Sequence, residues 1–137
     1  MEPFDVVDVE RTFVLPIEGT EHEVMGKMDL IVRDRKSKVL QIVDHKSEKR
    51  GSPANRIEAW ASRGQVALYL AAAEQLYEEE FGSIVVNILT RQSEKGRVGP
   101  TFRRMDLERS PEQKVEALRN LVWVADQIER LKKEFPE

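Results

Sequence analysis

The stretch from Gly26 to Ser47 constrains the fold more than any other part of this chain. Two apolar runs, Met28 to Arg33 and Val39 to His45, flank a short polar segment. Short runs rich in β-branched residues on either side of polar turn residues are typical of an antiparallel hairpin. We therefore predict two paired strands with the centre of the turn between Lys36 and Ser37.

This hairpin brings two acidic residues into register. With the turn centred there, Ile31 faces Ile42 and Asp29 faces Asp44. Opposite side chains in an antiparallel pair lie about 4.5–5.5 Å apart at Cβ, and like charges at that separation destabilise a sheet. A divalent cation between the two acids is the simplest way to offset the repulsion.

Lys46 shares one face of the hairpin with the two acids. Side chains alternate along a strand, so Asp44 and Lys46 point to one face and His45 to the other. Mg²⁺ takes oxygen ligands, usually one or two carboxylates with waters and phosphate oxygens. Two acids and one ammonium group around such an ion suit phosphodiester hydrolysis, in which the lysine orients a water or stabilises developing charge.

Two simpler interpretations remain open. An Asp-x-Lys sequence at the end of a strand is common, and taken alone it is typical of an ordinary exposed edge. The two acids also have lysines near them in the sequence, at positions 27, 46 and 49, with which they could form plain ion pairs. Because both acids converge through the hairpin and not through sequence adjacency, the metal site is favoured.

Composition limits the kinds of site that this chain can build. The 137 residues include no cysteine and only two histidines. This excludes disulfides, cysteine-ligated zinc, iron–sulfur clusters, a cysteine nucleophile and a multi-histidine metal site. Any metal must therefore be held mainly by oxygen.

Length and hydropathy indicate one soluble domain, residues 1–137. The 40% hydrophobic and 34% charged residues are ordinary for a globular protein. No apolar run is long enough to span a bilayer, and the N-terminus lacks the pattern of a signal peptide. We expect a cytoplasmic protein with no membrane partner.

Basic residues cluster in two places, although the net charge of −3 does not indicate a nucleic-acid partner. Either cluster could neutralise phosphates in a groove, while most charge runs are only solvated faces. The first cluster comprises Lys46, Lys49, Arg50, Arg56 and Arg63, and the second Arg91, Lys95, Arg97, Arg103 and Arg104.

Three further strands follow from apolar patterns. The first runs from about Asp8 to Leu15, a strand apolar on both faces runs from Ser83 to Arg91, and Thr101 to Leu107 returns along it at an edge. If the first strand pairs beside the hairpin, Glu10 is the preferred third acid of the site. A solvated strand glutamate is the commoner alternative.

Two helices are expected to cover the sheet. The first extends from Ala54 to Glu80, and Gly82 is expected to end it. A capping box, Ser-Pro-Glu-Gln at 110–113, opens the second helix, which runs to about Glu134. Its predicted apolar seam comprises Val115, Leu118, Val122, Ala125 and Ile128.

Gln65 and Tyr69 share a face of the first helix because they are four residues apart. Their polar groups could hydrogen-bond a substrate or a metal-bound carboxylate. A tyrosine at helical spacing is more often a core residue.

The combined pattern resembles the PD-(D/E)xK nuclease superfamily, specifically its RecB-like exonuclease branch, which includes phage exonucleases and CRISPR-associated nucleases. The resemblance covers the chain from about Glu10 to Arg91. Its three motifs, in order, are Gly26-x-x-Asp29, Asp44-x-Lys46 and Gln65-x-x-x-Tyr69.

This resemblance implies an α/β fold, a restriction-endonuclease-like core with a central mixed β-sheet flanked by helices on both sides. It implies Asp29 and Asp44 as metal ligands, helped by the backbone carbonyl of His45, with Glu10 as an upstream acid. The cofactor would be Mg²⁺ or Mn²⁺.

The same resemblance implies a catalytic role for Lys46, and it implies that Gln65 and Tyr69 organise the site and contact DNA. The expected activity is metal-dependent hydrolysis of DNA phosphodiesters by an exonuclease acting on single- or double-stranded ends. Its context would be recombination, repair, phage biology or defence, with protein partners from such a complex.

The alternative function is a catalytically impaired module that binds DNA or a protein partner within a larger assembly. Many relatives place a helical region ahead of the position of Glu10, and only nine residues precede Glu10 here, so we expect that region to be missing. A sequence-specific endonuclease would need a base-reading element, and none is evident in the sequence.

Overall fold

A mixed sheet with two helices makes up the part of the chain that the computed structural model describes, residues 3–49, 64–91 and 101–135. The strands are β1 (Phe4–Pro16), β2 (Glu23–Asp34), β3 (Leu40–Lys49), β4 (Phe81–Arg91) and β5 (Thr101–Leu107), and they lie in the sheet in that order. The helices are α1 (Gln65–Tyr77) and α2 (Pro111–Glu134). Strands β3 and β4 are parallel, and the other neighbouring pairs are antiparallel. The predicted α/β class with a central mixed sheet is confirmed.

The β2–β3 hairpin has the predicted register. Ile31 pairs with Ile42, and the ladder continues to the pair formed by Leu30 and Val43, where it ends. A shift of one residue would turn every side chain of the strand to the other face. The observed register therefore keeps the apolar side chains of both strands on the faces where they pack. It also makes the two residues just beyond the last pair neighbours of each other.

The turn of this hairpin is built by Asp34. Its Oδ1 accepts hydrogen bonds from the backbone N–H groups of Lys36 and Ser37, each at 2.8 Å. Lys38 takes a left-handed conformation with φ 66°, and its N–H donates to the Asp34 carbonyl at 2.8 Å. An aspartate that ties its own turn in this way fixes the loop length, and the loop length fixes the register.

The main hydrophobic core lies on one face of the sheet. Both described helices pack on this face, where Leu118 and Leu121 of α2 contact the same cluster as α1, so the expected placement of helices on both sides of the sheet is not found among the described residues. Its buried members from β2, β3, β4 and α1 include Ile31, Leu40, Ile42, Ile84, Val86, Ile88, Val66, Leu70, Ala72 and Ala73. The opposite face has a smaller cluster of Val32, Val43 and Val85, against which Phe4 and Leu30 pack.

The other strands differ from their predicted bounds only at their ends. β1 begins at Phe4, before the predicted Asp8, and its pairing with β2 is irregular between Val6 and Asp8. β4 begins at Phe81, before the predicted Ser83, and β5 has the predicted bounds and lies at the sheet edge.

α1 ends earlier than predicted, and Gly82 does not end it. The helix stops at Tyr77, because Glu78 takes the left-handed conformation with φ 55°. Gly82 is a residue of β4, where an added Cβ would lie 3.0 Å from Val39 Cγ1, so close strand packing explains this glycine. The predicted start of the helix, at Ala54, lies outside the described residues.

α2 begins as predicted but buries a different stripe. Ser110 Oγ accepts from the Gln113 N–H at 3.1 Å, and Gln113 Oε1 accepts from the Ser110 N–H at 2.8 Å. The buried residues are Lys114, Ala117 and Ala125, whereas Val115, Val122 and Ile128 of the predicted seam are 40–47% exposed. The seam prediction is therefore wrong except at Ala125 and the half-buried Leu118. Neither described helix is long and apolar enough to cross a membrane.

Lys114 joins α2 to α1 and β4. The residue is only 8% exposed, and its Nζ lies 3.0 Å from Glu74 Oε2 and 3.3 Å from the Phe81 carbonyl oxygen. Glu74 Oε2 also accepts the Phe81 N–H at 2.9 Å. One buried ammonium group thus holds two helices and the first residue of a central strand.

We expect Lys114→Ala to lower the free energy of unfolding by about 2–4 kcal/mol, because it leaves a partly buried carboxylate and a buried carbonyl without their donor. Urea unfolding followed by circular dichroism measures the change. The control Lys132→Ala removes an exposed lysine and should change the value by less than about 0.5 kcal/mol. Equal effects of the two substitutions would contradict this role of Lys114.

Candidate metal centre

Asp29, Asp44 and Lys46 lie together where β2 and β3 separate. Lys46 Nζ is 3.1 Å from Asp44 Oδ2, and the carboxyl groups of Asp29 and Asp44 are in hydrogen-bonding contact. The Asp44 side chain is 20% exposed. The structure thus brings together the three side chains that the hairpin register was predicted to juxtapose.

The end of the β2–β3 ladder positions the Asp29 carboxylate. Backbone pairing stops at Leu30 and Val43, and beyond it the backbone N–H of His45 donates to Asp29 Oδ2 at 3.1 Å. Just past the last backbone pair, a side-chain oxygen therefore accepts a hydrogen bond from a backbone N–H of the next strand. The carboxylate is held by the main chain, which is more rigid than any side-chain partner.

The two carboxyl groups have pKa values shifted in opposite directions. Burial raises the pKa of Asp44, and its contact with Asp29 adds to this rise, while Lys46 opposes it. Burial also acts to raise the pKa of Asp29, but the His45 N–H, the contact with Asp44 and the nearby positive charges outweigh it, so the pKa of Asp29 is lowered. The two carboxyl groups therefore titrate as one coupled pair.

Asp44 Oδ2 is a buried acceptor that accepts no hydrogen bond. Its neighbouring cation is the Lys46 ammonium group, at an ion-pair distance of 3.1 Å. An oxygen in this state beside a second carboxylate is the donor set that a hard divalent cation uses, so these residues fit Mg²⁺ or Mn²⁺.

Glu10, the predicted third acid, does not contact this pair. It adopts a left-handed conformation with φ 50°, and its exposed carboxylate lies 3.7 Å from Lys27 Nζ. Across the described residues, no group of three or more His, Cys, Asp or Glu side chains is close enough to hold a metal ion. Within the described part of the chain the donor set is therefore the pair of aspartates, and the roles of Glu10 and of the His45 carbonyl stay predictions.

Tyr69 packs as a half-buried aromatic residue behind β2. Its ring makes an edge-to-face contact with Phe13 at a centroid distance of 5.3 Å. Gln65, one turn earlier, is exposed. The structure places both on the helix that covers the core face, and their contacts with substrate or metal ligands stay predictions.

Sequence reasoning missed two groups near the centre. The His45 N–H holds Asp29, and a main-chain donor leaves no sequence signal. Asn87 of β4 aligns with His45 on one side and Arg104 on the other. It is the one polar residue inside the apolar run from Ile84 to Leu89, and that interruption is a signal that could have drawn attention to it.

Comparison with known proteins agrees with this geometry. Residues 1–136 match the model of the PD-(D/E)XK nuclease superfamily. The chain belongs to this superfamily. No curated protein matches the chain. PD-(D/E)XK nucleases generally use divalent metal ions, as the aspartate pair suggests for this member.

Two solved structures are similar to this superfamily member, and the first of them supports the same fold. One, described as a "Putative exonuclease" from Eubacterium rectale, has a TM-score of 0.58 and 19% identity, with 95% of this chain and 47% of that chain covered. Another, of SSO0001, has a TM-score of 0.49 and 11% identity, with 85% of this chain and 50% of that chain covered. This chain thus spans about half the length of each.

Gly26 of the first PD-(D/E)XK motif lies under the Phe13 ring. An added Cβ would lie 2.5 Å from two atoms of that buried ring and 3.2 Å from the Tyr69 hydroxyl. We expect Gly26→Ala to lower the free energy of unfolding by about 1–3 kcal/mol through overpacking. The matched control is Gly64→Ala, since a Cβ there meets nothing within 4 Å, and it should stay within about 0.5 kcal/mol of the parent. A neutral Gly26→Ala in chemical unfolding would contradict this packing.

The aspartate pair predicts metal-dependent stability. At a Mn²⁺ concentration of about 100 times Kd, binding to the folded state should add roughly 2.7 kcal/mol to the free energy of unfolding. Asp44→Asn should abolish this gain and leave the metal-free protein as stable or slightly more stable, because it removes a buried like-charge contact. Thermal unfolding with Mn²⁺ and with EDTA measures both effects.

The control for that measurement is Asp126→Asn, which neutralises an exposed acid on α2 and should retain the full Mn²⁺ effect. Stabilisation by Mn²⁺ that survives Asp44→Asn would show that the metal binds elsewhere.

Proposed function

We propose that this protein is a Mg²⁺- or Mn²⁺-dependent deoxyribonuclease that removes nucleotides from DNA ends. The observation that carries the proposal is the contact between the carboxyl groups of Asp29 and Asp44, with the Lys46 ammonium group 3.1 Å from the buried Asp44 Oδ2. Membership of a nuclease superfamily supports hydrolysis of nucleic acid. The exonuclease mode is supported by the RecB-like motifs and by the description of one structural neighbour.

In this mechanism the side chains at the end of the hairpin have separate tasks. Asp29, held by the His45 N–H, and Asp44 would hold the cation, which when bound supplies charge neutralisation at the phosphate and a more acidic water. Lys46 donates hydrogen bonds to the attacking water or to a phosphate oxygen and so orients the nucleophile and stabilises developing negative charge. The apolar core beneath limits the access of bulk water to the aspartate pair.

Lys46 lies at the right place for this task because its ammonium group is already within 3.1 Å of a cation-binding oxygen. Asp29 and Asp44 would hold the cation, and Lys46 would direct its ammonium group to a phosphate oxygen or a water beside them. The flexible stem of lysine allows this movement.

The test is digestion of end-labelled single- and double-stranded DNA with and without Mn²⁺. We expect Lys46→Ala to slow cleavage by about 10²–10⁴-fold, the range for loss of a positioned proton-transfer or charge-stabilising group. The control Lys36→Ala removes an exposed lysine from the turn of the same hairpin and should retain parental activity. Metal-dependent cleavage at the parental rate by Lys46→Ala would refute the proposed mechanism.

Whether cleavage requires a DNA end distinguishes an exonuclease from an endonuclease. An exonuclease degrades linear DNA and leaves closed circular DNA intact, so both forms belong in the assay. Cutting of circles at a comparable rate would replace the exonuclease assignment with an endonuclease.

A second candidate is a module of the same fold that binds DNA or a protein partner without cleaving. The observation that favours it is Glu10, which lies in an exposed ion pair with Lys27 and away from the aspartate pair. This candidate predicts DNA binding without cleavage in Mg²⁺ or Mn²⁺, and calorimetry with Mn²⁺ should then show no site-specific binding.

A further inference from the structure

A groove lies on the sheet face opposite the aspartate pair. Its lining residues come from three neighbouring strands and enclose a cavity of about 490 Å³: His45 of β3, Asn87 of β4, and Phe102, Arg103 and Arg104 of β5. We call it the β3–β5 groove. Its volume is in the range of sites that bind ligands the size of a nucleotide.

The register of the strands explains why these side chains meet. Asn87 is the register partner of both His45 and Arg104, so the three form a row across the sheet. Phe102 is two residues before Arg104 and points to the same face. The groove is therefore built by regular strands, which hold side chains more rigidly than loops do.

Arg104 is oriented for an anion. Its Nε donates to Asn87 Oδ1 at 3.0 Å, and no further bond of this guanidinium group is found among the described residues. The two terminal nitrogens form the fork that matches two phosphate oxygens. Asn87 thus has the task of holding the guanidinium plane, which accounts for a polar residue inside an apolar strand.

Phe102 supplies an aromatic face. The residue is 79% exposed, and Arg104 lies two residues further on the same face of the strand. Nucleic-acid bases stack on such rings only when they are unpaired, and stacking is largely independent of base identity. An exposed ring beside an arginine on an edge strand is therefore suited to a single strand of nucleic acid.

The groove and the metal centre meet at one residue. The His45 side chain lines the groove, while its backbone N–H holds Asp29. His45 therefore links the groove on one face of the sheet to the aspartate pair on the other face.

We propose that the β3–β5 groove binds single-stranded nucleic acid, with Phe102 stacking on a base and Arg104 binding a phosphate. This inference rests on the proposed nuclease function and assigns to it a substrate class and a second binding site. Neither residue belongs to the motifs that identify the superfamily in this sequence.

The test is binding of a fluorescent 20-nucleotide oligothymidine and of a labelled 20-base-pair duplex, both in EDTA so that no cleavage takes place. We expect the parent to prefer the single strand. Phe102→Ala should raise the Kd for the single strand about 5- to 100-fold, and Phe102→Trp should restore it. Arg104→Ala should also raise the Kd and reduce the slope of log Kd against log salt by about 0.7.

Two variants serve as matched controls. Phe135→Ala removes a ring that is 72% exposed at the end of α2, and Arg130→Ala removes an exposed arginine from the same helix. Both should bind the single strand as the parent does, and urea unfolding of all variants checks that the fold is retained.

The inference is overturned if the parent does not bind the single strand, if it binds the duplex equally well, or if Phe102→Ala binds as the parent does. It stands, and the nuclease proposal fails, if Phe102-dependent binding is found but Mn²⁺ produces no cleavage. The reverse result, cleavage that Lys46→Ala abolishes and Phe102→Ala leaves unchanged in rate and affinity, retains the nuclease and removes the groove from its substrate path.

Discussion

The contact between the carboxyl groups of Asp29 and Asp44, at the end of a hairpin, is the constraint on which the rest of this structure depends. Their contact is unfavourable in itself, since each acid raises the energy of the other when both are ionised. The register of β2 and β3, the Asp34 turn and the apolar face beneath them hold the pair in place. Unfavourable groups that a fold holds against their repulsion are concentrated at functional sites. Under the proposed function, a bound cation would offset the repulsion between these two acids.

The surrounding core offsets the cost of holding the two acids together. Strand β3 is central, with β2 antiparallel on one side and β4 parallel on the other, and its core-side residues Leu40 and Ile42 are almost completely buried. The four residues of the strand that precede Asp44 are therefore fixed by the core and by the pairing with both neighbours. Only beyond the last β2–β3 pair does the backbone separate, so the acidic residues occupy the first position where side chains can turn toward each other.

Local chemistry determined how well the fold could be predicted from the sequence. The hairpin register followed from polar turn residues and strand alternation, and the start of α2 followed from the Ser110 capping box, because both depend on residues within a few positions. The end of α1 was missed because Glu78, a residue without a strong left-handed preference, ends it, while Gly82 packs closely against Val39, the residue before β3. The buried stripe of α2 was missed because Lys114 is buried only by virtue of Glu74 and Phe81.

The same distinction holds at the candidate site. Alternation was sufficient to place Asp29, Asp44 and Lys46 together, since all three lie on regular strands. It was insufficient for Glu10, whose left-handed backbone conformation interrupts the alternation of β1. The His45 N–H bond and the Asn87–Arg104 contact each join a side chain to a group on the neighbouring strand, and the alternation of apolar residues does not encode such contacts.

The order of the strands in the sheet has a consequence for how the chain folds. Because β1 to β5 lie side by side in the order of synthesis, each strand can be added at a growing edge and none has to be inserted between two that are already paired. The first three strands form from contacts between neighbours in the chain, which assemble fastest. Only the parallel β3–β4 pair must wait for a long connection that includes α1. The acidic hairpin can therefore form early during translation. Packing of the helices on the hydrophobic face of the sheet is the later step that stabilises it.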